Sequence, residues 1–220
     1  MAKTNKQHLS QKLWQIASNY LGKAETFIPI EQGKKIKLER VFAKEHTKYV
    51  LELGSGWGEV ALNLAKENPQ TGFVLMEKNR GRVKYTLRQM EKRNINNIRF
   101  IPINFHWFLE ELFQAQAFAK IILNFPDPWP KKKHHKHRTL NTAFLDSLDY
   151  LLQAEGIFLF ATDYAAYGRQ AIRVFRPDKR FYFPEKEYSF QRTGFPISAF
   201  EQEKRDLGKT IYYLERRKKV

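Results

Sequence analysis

From Tyr49 to Leu214 short apolar runs alternate with longer amphipathic ones, and that alternation constrains the fold more than any other feature of the sequence. The runs Tyr49–Leu53, Gly72–Met76, Ile98–Ile103, Lys120–Phe125, Gly156–Ala161 and Thr210–Leu214 read as strands. Between them Glu59–Glu67, Gly81–Arg93, Trp107–Phe113, Leu140–Leu152 and Ala165–Phe175 read as helices, with apolar residues at helical spacing. Strands alternating with helices predict βαβ units, and so an α/β fold: a doubly wound, mostly parallel sheet covered on both faces. Ahead of it the spacing of Leu9, Leu13, Trp14, Ile16, Ala17, Tyr20 and Leu21 predicts an amphipathic helix, followed by a shorter helical pattern at Leu38, Val41 and Phe42. The chain is therefore expected to divide into an N-terminal helical extension over residues 1–45 and an α/β domain over 46–220. The aromatic-rich stretch Phe175–Phe195 reads as a strand and loop packing on the sheet.

Val50-Leu51-Glu52-Leu53-Gly54-Ser55-Gly56-Trp57-Gly58-Glu59 carries an apolar strand through a glycine-rich turn into a helix. Glycines permit the tight turn and let the backbone approach a ligand closely, although a strand-to-helix turn can use them for structure alone. A dinucleotide site would place a further glycine where Glu59 stands, and a carboxylate at a helix N-terminus competes with a pyrophosphate. A ligand without phosphates fits better. Glu77 follows Gly54 by 23 positions, at the end of the second strand, where an acidic residue accepts hydrogen bonds from a ribose diol. Asn104, after the third strand, offers its amide to an adenine edge. Glu52 lies inside an apolar strand, and a buried carboxylate calls for a cationic ligand group or a backbone donor beside it. An adenosine with an amino-acid tail and no phosphate is S-adenosylmethionine, which makes Glu52, Gly54, Gly56, Glu77 and Asn104 candidate cofactor contacts.

The fourth strand runs into Asn124-Phe125-Pro126-Asp127-Pro128-Trp129-Pro130, and then into Lys131-Lys132-Lys133-His134-His135-Lys136-His137-Arg138. In an open α/β sheet this loop falls beyond the carboxyl ends of the strands, where ligands bind. Three prolines stiffen it and keep it out of helix or ladder. Asp127 can accept hydrogen bonds from the N1 and N2 donors of a guanine, and Trp129 can shape a base pocket or simply pack; a proline turn with a capping aspartate is the plainer alternative. The basic octapeptide suits a phosphate backbone. Flanking lysines and the lack of an interleaved carboxylate argue against a metal held by His134, His135 and His137, so no metal is expected.

Lysine and arginine total 39 against 23 acidic residues, a formal net charge of +16, which points to nucleic acid or an anionic membrane surface as partner. The absence of cysteine excludes disulfide scaffolds, thiolate catalysis and Cys-based metal sites. No apolar run approaches the ~20 residues of a membrane-spanning helix, and no signal-peptide pattern opens the chain. A soluble, cytoplasmic protein with no membrane partner is expected.

Glu52-Leu53-Gly54-Ser55-Gly56-Trp57-Gly58 and the whole stretch from Asn124 to Arg138 resemble the bacterial tRNA (guanine-N7)-methyltransferases. Ala161-Thr162-Asp163-Tyr164 and Ser198-Ala199-Phe200-Glu201 resemble two further motifs of that family, so the resemblance spans about Tyr49 to Leu214. It implies a Rossmann-like class I methyltransferase fold and methyl transfer from S-adenosylmethionine to the variable-loop guanine of tRNA, position 46. It also implies cofactor contacts from Glu52, Glu77 and Asn104, with Asp127 as the catalytic position at the junction of cofactor and base. Lys131, Asp163, Ser198, Ala199, Phe200 and Glu201 would contact tRNA, with Arg192-Thr193-Gly194 as a turn near the substrate. Asn104 stands where many members carry aspartate, and Ser198 where threonine is usual. The basic tail Arg216-Arg217-Lys218-Lys219 is expected to add phosphate contacts, and no obligate protein partner is evident. Rival readings are a class I methyltransferase acting on rRNA, DNA or protein, and a non-enzymatic RNA-binding module. Amino-group methyltransferases typically carry Asn-Pro-Pro-Tyr where this chain has Asn124-Phe125-Pro126-Asp127.

Overall fold

Seven strands line up in a single sheet in the computed structural model, which describes residues 26–31, 33–42, 46–105 and 109–220. The helix expected over Leu9–Leu21, and the start of the one expected at Trp107, lie outside the described residues. The strands are β1 (Lys48–Leu53), β2 (Thr71–Met76), β3 (Ile98–Ile101), β4 (Phe118–Asn124), β5 (Leu152–Thr162), β6 (Phe181–Tyr182) and β7 (Tyr212–Lys218). Their order is β3-β2-β1-β4-β5-β7-β6. The pairings among β1 to β5 are parallel, while β7 runs antiparallel to both β5 and β6. The helices are α1 (Glu59–Glu67), α2 (Arg80–Lys92), the single turn α3 (Leu109–Leu112), α4 (Thr142–Leu151), α5 (Ala165–Phe175) and α6 (Ala199–Asp206).

Strand alternation divides the apolar residues between two cores. Val50, Phe73, Leu75 and Ile122 face a core completed by Ala61, Leu62 and Ala65 of α1 and by Val83 and Met90 of α2. Their neighbours Leu51, Leu53, Val74, Met76 and Ile121 face the other core, with Leu145 and Leu148 of α4 and Tyr167, Ala171 and Ile172 of α5. Helices on both faces of a mostly parallel sheet make the doubly wound architecture expected from the sequence. Local signals set the helix starts. The Asn79 side chain accepts from the Arg82 N–H at 3.1 Å to cap α2, and Asn141 accepts from the Phe144 N–H at 3.0 Å to cap α4. Ahead of the domain, the Ile28 N–H donates to the Phe100 carbonyl at 2.9 Å, so this segment covers the otherwise open edge of β3.

Two elements depart from expectation. β5 starts at Leu152 rather than Gly156, because its first residues bulge, with Glu155 at φ 58°, before the ladder with β4 resumes at Ile157. β7 extends through Arg216, Arg217 and Lys218, so three of the four residues expected to act as a basic tail belong to the sheet. The Arg216 guanidinium is buried between the Phe175 and Phe183 rings, 5.2 and 5.6 Å from their centroids. Lys218 Nζ donates to the Leu152 carbonyl at 3.1 Å and sits 3.4 Å from Asp149.

In the sheet order β1 lies between β2 and β4, so the chain reverses its direction of winding between β1 and β4. The crevice beyond the carboxyl ends of those two strands is where an open α/β sheet binds its ligand.

Candidate active site

Two adjoining cavities occupy that crevice. The larger, about 510 Å³, is lined by Glu52, the Gly54–Trp57 loop, Glu59, Arg82, the Asn124–Pro128 loop, Asp163, Ser198, Phe200 and Lys204. The smaller, about 230 Å³, is lined by Met76, Glu77, Lys78, Asn104 and Phe105, and shares Gly54, Arg82 and Asn124–Asp127 with the first. Glu52, Gly54, Gly56, Asp127, Asp163, Ser198 and Phe200 thus meet at one space, while Glu77 and Asn104 line its annex. Lys131 and Ala199 line neither cavity. Glu201 is buried behind the wall.

The loop after β1 has the geometry its glycines require. Gly56 takes φ 58° with open space beside it, and Gly58 takes φ 72° where a Cβ would come within 2.3 Å of Thr86. Several backbone donors of this loop are engaged within the protein. The N–H groups of Gly54 and Ser55 donate to the Met76 carbonyl, and that of Gly56 to the Glu77 carboxylate at 3.0 Å. Glu77 is buried and also accepts from the Asn79 N–H at 2.7 Å, with Arg82 Nη1 at 3.8 Å. Glu59, the first residue of α1, accepts from the Ala199 N–H at 2.9 Å, which ties the start of α6 to the glycine loop.

Three buried polar atoms facing the larger cavity lack a hydrogen-bond partner: Glu52 Oε2, Ser55 Oγ and Asn124 Nδ2. Burial pushes the Glu52 carboxyl up to about 8, against the opposing field of Arg192 and a bond from the Ala61 backbone. An acceptor that needs a cation, beside a hydroxyl and an amide donor, complements the ammonium and carboxylate of an amino acid. The site residues therefore fit the amino-acid tail of S-adenosylmethionine.

The loop after β4 is held under strain. Phe125 and Trp129 each precede a proline, yet take φ 49° and 43°, a region costly to bulky side chains. Arg138 clamps it, donating to the carbonyls of Pro128 at 2.8 Å and Trp129 at 3.4 Å and to Gln170, with its guanidinium over the Tyr167 ring at 5.1 Å. Arg138 is buried. It is therefore a structural clamp, which corrects its inclusion in the phosphate-binding segment. The clamp holds Asp127 exposed on the cavity wall. The rings of His134 and His137 pack around Trp129 at 5.8 and 5.1 Å. No cluster of three or more His, Cys, Asp or Glu side chains able to hold a metal occurs among the described residues.

Behind the wall lies a network centred on Glu201, which is 1% exposed. Its carboxylate accepts from Arg192 Nη2 at 2.9 Å, Arg205 Nη2 at 2.7 Å and the Tyr213 hydroxyl at 2.6 Å. Arg192 also donates to Asn124 Oδ1 at 3.2 Å and lies over the Phe195 and Tyr213 rings, at 4.1 and 4.7 Å. Glu201 thus holds the arginine that orients Asn124 and opposes Glu52. Ser198 caps α6, its hydroxyl accepting from the Glu201 N–H at 3.1 Å, a role serine fills as well as threonine. Sequence reasoning placed Arg192 in a turn near the substrate but missed Arg205, Tyr213 and α6 itself. α6 is Ala-Phe-Glu-Gln-Glu-Lys-Arg-Asp with Glu201 as its buried residue, so it shows no apolar stripe.

Residues 46–214 match the family model described as "Putative methyltransferase". The chain is 50% identical over 211 residues to the tRNA (guanine-N(7)-)-methyltransferase of Leptospira interrogans, covering 96% of this chain and 97% of that protein. The protein of the same name from Nitrosomonas europaea is 32% identical over 184 residues, 84% of this chain and 81% of that one. Among solved structures, the 16S rRNA methyltransferase KamB superposes with a TM-score of 0.62 at 12% identity, covering 86% of this chain and 98% of that one, which establishes the shared fold.

Proposed function

The chain belongs to the tRNA (guanine-N7)-methyltransferase family, and on that premise we propose that it methylates N7 of the variable-loop guanine of tRNA, position 46, with S-adenosylmethionine as donor. The carrying observation is the trio of unsatisfied polar atoms at Glu52, Ser55 and Asn124 in a cavity walled by the Asn124–Pro128 loop. In this reading Glu52, Ser55 and Asn124 hold the amino-acid tail, Gly54 and Gly56 let the backbone approach it, and Glu77 and Asn104 take the adenosine end. Residues 46–220 form the catalytic domain, and residues 1–45 an extension of which 26–42 contributes to both cores.

S-adenosylmethionine supplies an electrophilic methyl group on a sulfonium. Guanine N7 carries an in-plane lone pair and no proton, so this chain has no proton to remove and acts by alignment. Asp127 orients the base through the guanine N1 and N2 donors. Asp163, on the same cavity, opposes the positive charge that develops on the ring. Lys131 and the exposed rim at Ser198–Phe200 meet the tRNA, with Glu201 fixing that rim from behind.

The test is methyl transfer from labelled S-adenosylmethionine to an unmodified tRNA transcript, followed by nucleoside analysis. 7-Methylguanosine is expected, and its loss when the variable-loop guanine is changed to adenine. Label in another nucleoside overturns the substrate assignment. Tight tRNA binding without any transfer overturns the enzyme reading in favour of a binding module.

A further inference from the structure

Trp57 and Tyr85 are two of the large aromatic side chains the fold leaves on its surface, 48% and 40% exposed, and they meet edge to face at 5.2 Å. Neither is there for lack of anchoring. The Thr86 hydroxyl donates to the Trp57 carbonyl at 3.1 Å, and Gly58 lets the loop press against Thr86, so the pair is fixed where the loop after β1 meets α2. Lys78, just ahead of α2, and Arg80, Arg82, Lys84 and Arg88 along it are all exposed, and the Arg82 guanidinium lies 5.9 Å from the Trp57 ring centroid. The one carboxylate of α2 is Glu91, near its far end. Arg80 and Arg82 stand in the first turn of α2, where cations oppose the helix dipole, and Arg82 faces the buried Glu77 at 3.8 Å. An anionic partner reverses that penalty. Trp57 and Arg82 also line the larger cavity, so the basic aromatic surface begins at the rim of the reaction site.

We propose that the stretch Arg80–Arg88 of α2, together with the Trp57–Tyr85 pair, is a second RNA-docking surface. There a nucleobase neighbouring the target guanine stacks on the aromatic pair, while Lys84 and Arg88 track its phosphates. The proposal rests on the RNA-substrate reading and assigns it residues outside the segment Lys131–Lys136. Single-stranded RNA is recognised by this combination: aromatic faces take unstacked bases irrespective of identity, and flanking cations take the backbone. Methylation of N7 in a folded RNA requires the guanine to enter the cavity, which leaves its neighbours unstacked at the rim where the pair stands.

The experiment compares the Lys84→Ala/Arg88→Ala double variant, Tyr85→Ala and Tyr85→Phe with a Lys132→Ala/Lys133→Ala control. Each is measured for tRNA binding across a salt series and for S-adenosylmethionine binding. The α2 double variant is expected to weaken tRNA binding about tenfold and to flatten the log–log salt slope by roughly 1–2. Tyr85→Ala is expected to weaken it about tenfold, with Tyr85→Phe restoring it, because the ring and not the hydroxyl stacks. S-adenosylmethionine affinity should stay within about twofold throughout, since these side chains stand clear of Glu52, Ser55 and Asn124. Unchanged tRNA binding in the α2 variants, with weakening in the control, overturns the surface and leaves the RNA reading standing. Unchanged binding in both sets overturns the RNA reading with it. A Tyr85→Phe variant as weak as Tyr85→Ala overturns the stacking role.

Discussion

Glu52 carries the site's main chemical tension, a carboxyl buried at the end of β1 with one oxygen unpartnered and its pKa pushed up to about 8 by that burial. The unfolded chain ionises it near the ordinary carboxylate value, so the folded state binds more protons between the two. Stability is therefore full below the unfolded pKa and falls as pH rises toward 8. Glu52→Gln should stabilise the protein by on the order of 4 kcal/mol at pH 8 and by less than about 1 kcal/mol at pH 5, read from thermal melts at both. On the proposed reading, the cation that makes Glu52 worth retaining is the ammonium of the ligand. Binding S-adenosylmethionine at pH 7 should expel a large fraction of a proton more from the native protein than from Glu52→Gln, by calorimetry in buffers of differing ionisation enthalpy. Equal proton release from the two proteins would sink the assignment. Asp127 is the opposite case, exposed on the cavity wall. Asp127→Ala should lower kcat about 10²-fold or more and leave tRNA affinity within about twofold, and full turnover would remove it from the mechanism. Glu52 and Asp127 were legible in the sequence because they lie at the glycine and proline turns of β1 and β4, and Glu77 because it follows β2, 23 positions from Gly54. Arg192, Arg205 and Tyr213 meet Glu201 only through antiparallel pairing and the α6 turn, which no local pattern encodes.

At the scale of elements, the loop after β4 works as a clamp with a known fastener. Its two left-handed pre-proline residues cost about 1–3 kcal/mol each and persist because Arg138 holds the intervening carbonyls. Replacing Arg138 by methionine keeps the stem and removes the donors. We expect a loss of roughly 2–4 kcal/mol in stability and a fall in kcat as Asp127 loses its fixed position. Arg138→Lys should rescue little, since one ammonium cannot span what the guanidinium fork spans. The decisive readout is the salt dependence of tRNA binding, which should keep its slope in both variants; a flattened slope would return Arg138 to the phosphate-binding set. The parallel strands were legible because both faces are covered and their sequences are largely apolar. β7 was legible only to Leu214, since Glu215–Lys218 looks like a charged tail until β5 and β6 are seen to flank it. α6 was illegible for the converse reason: it is a polar helix positioned by its Ser198 cap and by Glu59.

For the molecule as a whole, a net charge of +16 invites the view that every cation faces RNA, and the fold sorts them otherwise. Arg99, Arg138 and Arg216 are buried. Arg99 donates to the carbonyls of Val41, Asn96 and Ile98, and Arg216 lies between aromatic rings. Arg176 and Arg180 are engaged by Glu187 and by Asp178 and Asp146. The exposed remainder includes Lys131, Lys132, Lys133 and Lys136, in a segment that continues directly from the cavity wall. If such residues make about six phosphate contacts, the slope of log K against log salt is roughly −4 to −5, and tRNA affinity falls about 10³-fold between 50 and 200 mM salt. Lys132→Ala/Lys133→Ala should flatten that slope by about 1–2 with no loss of thermal stability. Arg216→Gln should do the reverse, lowering stability while leaving the slope alone, because its charge is already engaged by Phe175 and Phe183. The contrast between those two variants tests the partition itself. Equal effects on the slope would mean that β7 frays to release its basic residues to the RNA, and a flat profile in the native protein would mean that the excess charge serves something other than a phosphate backbone.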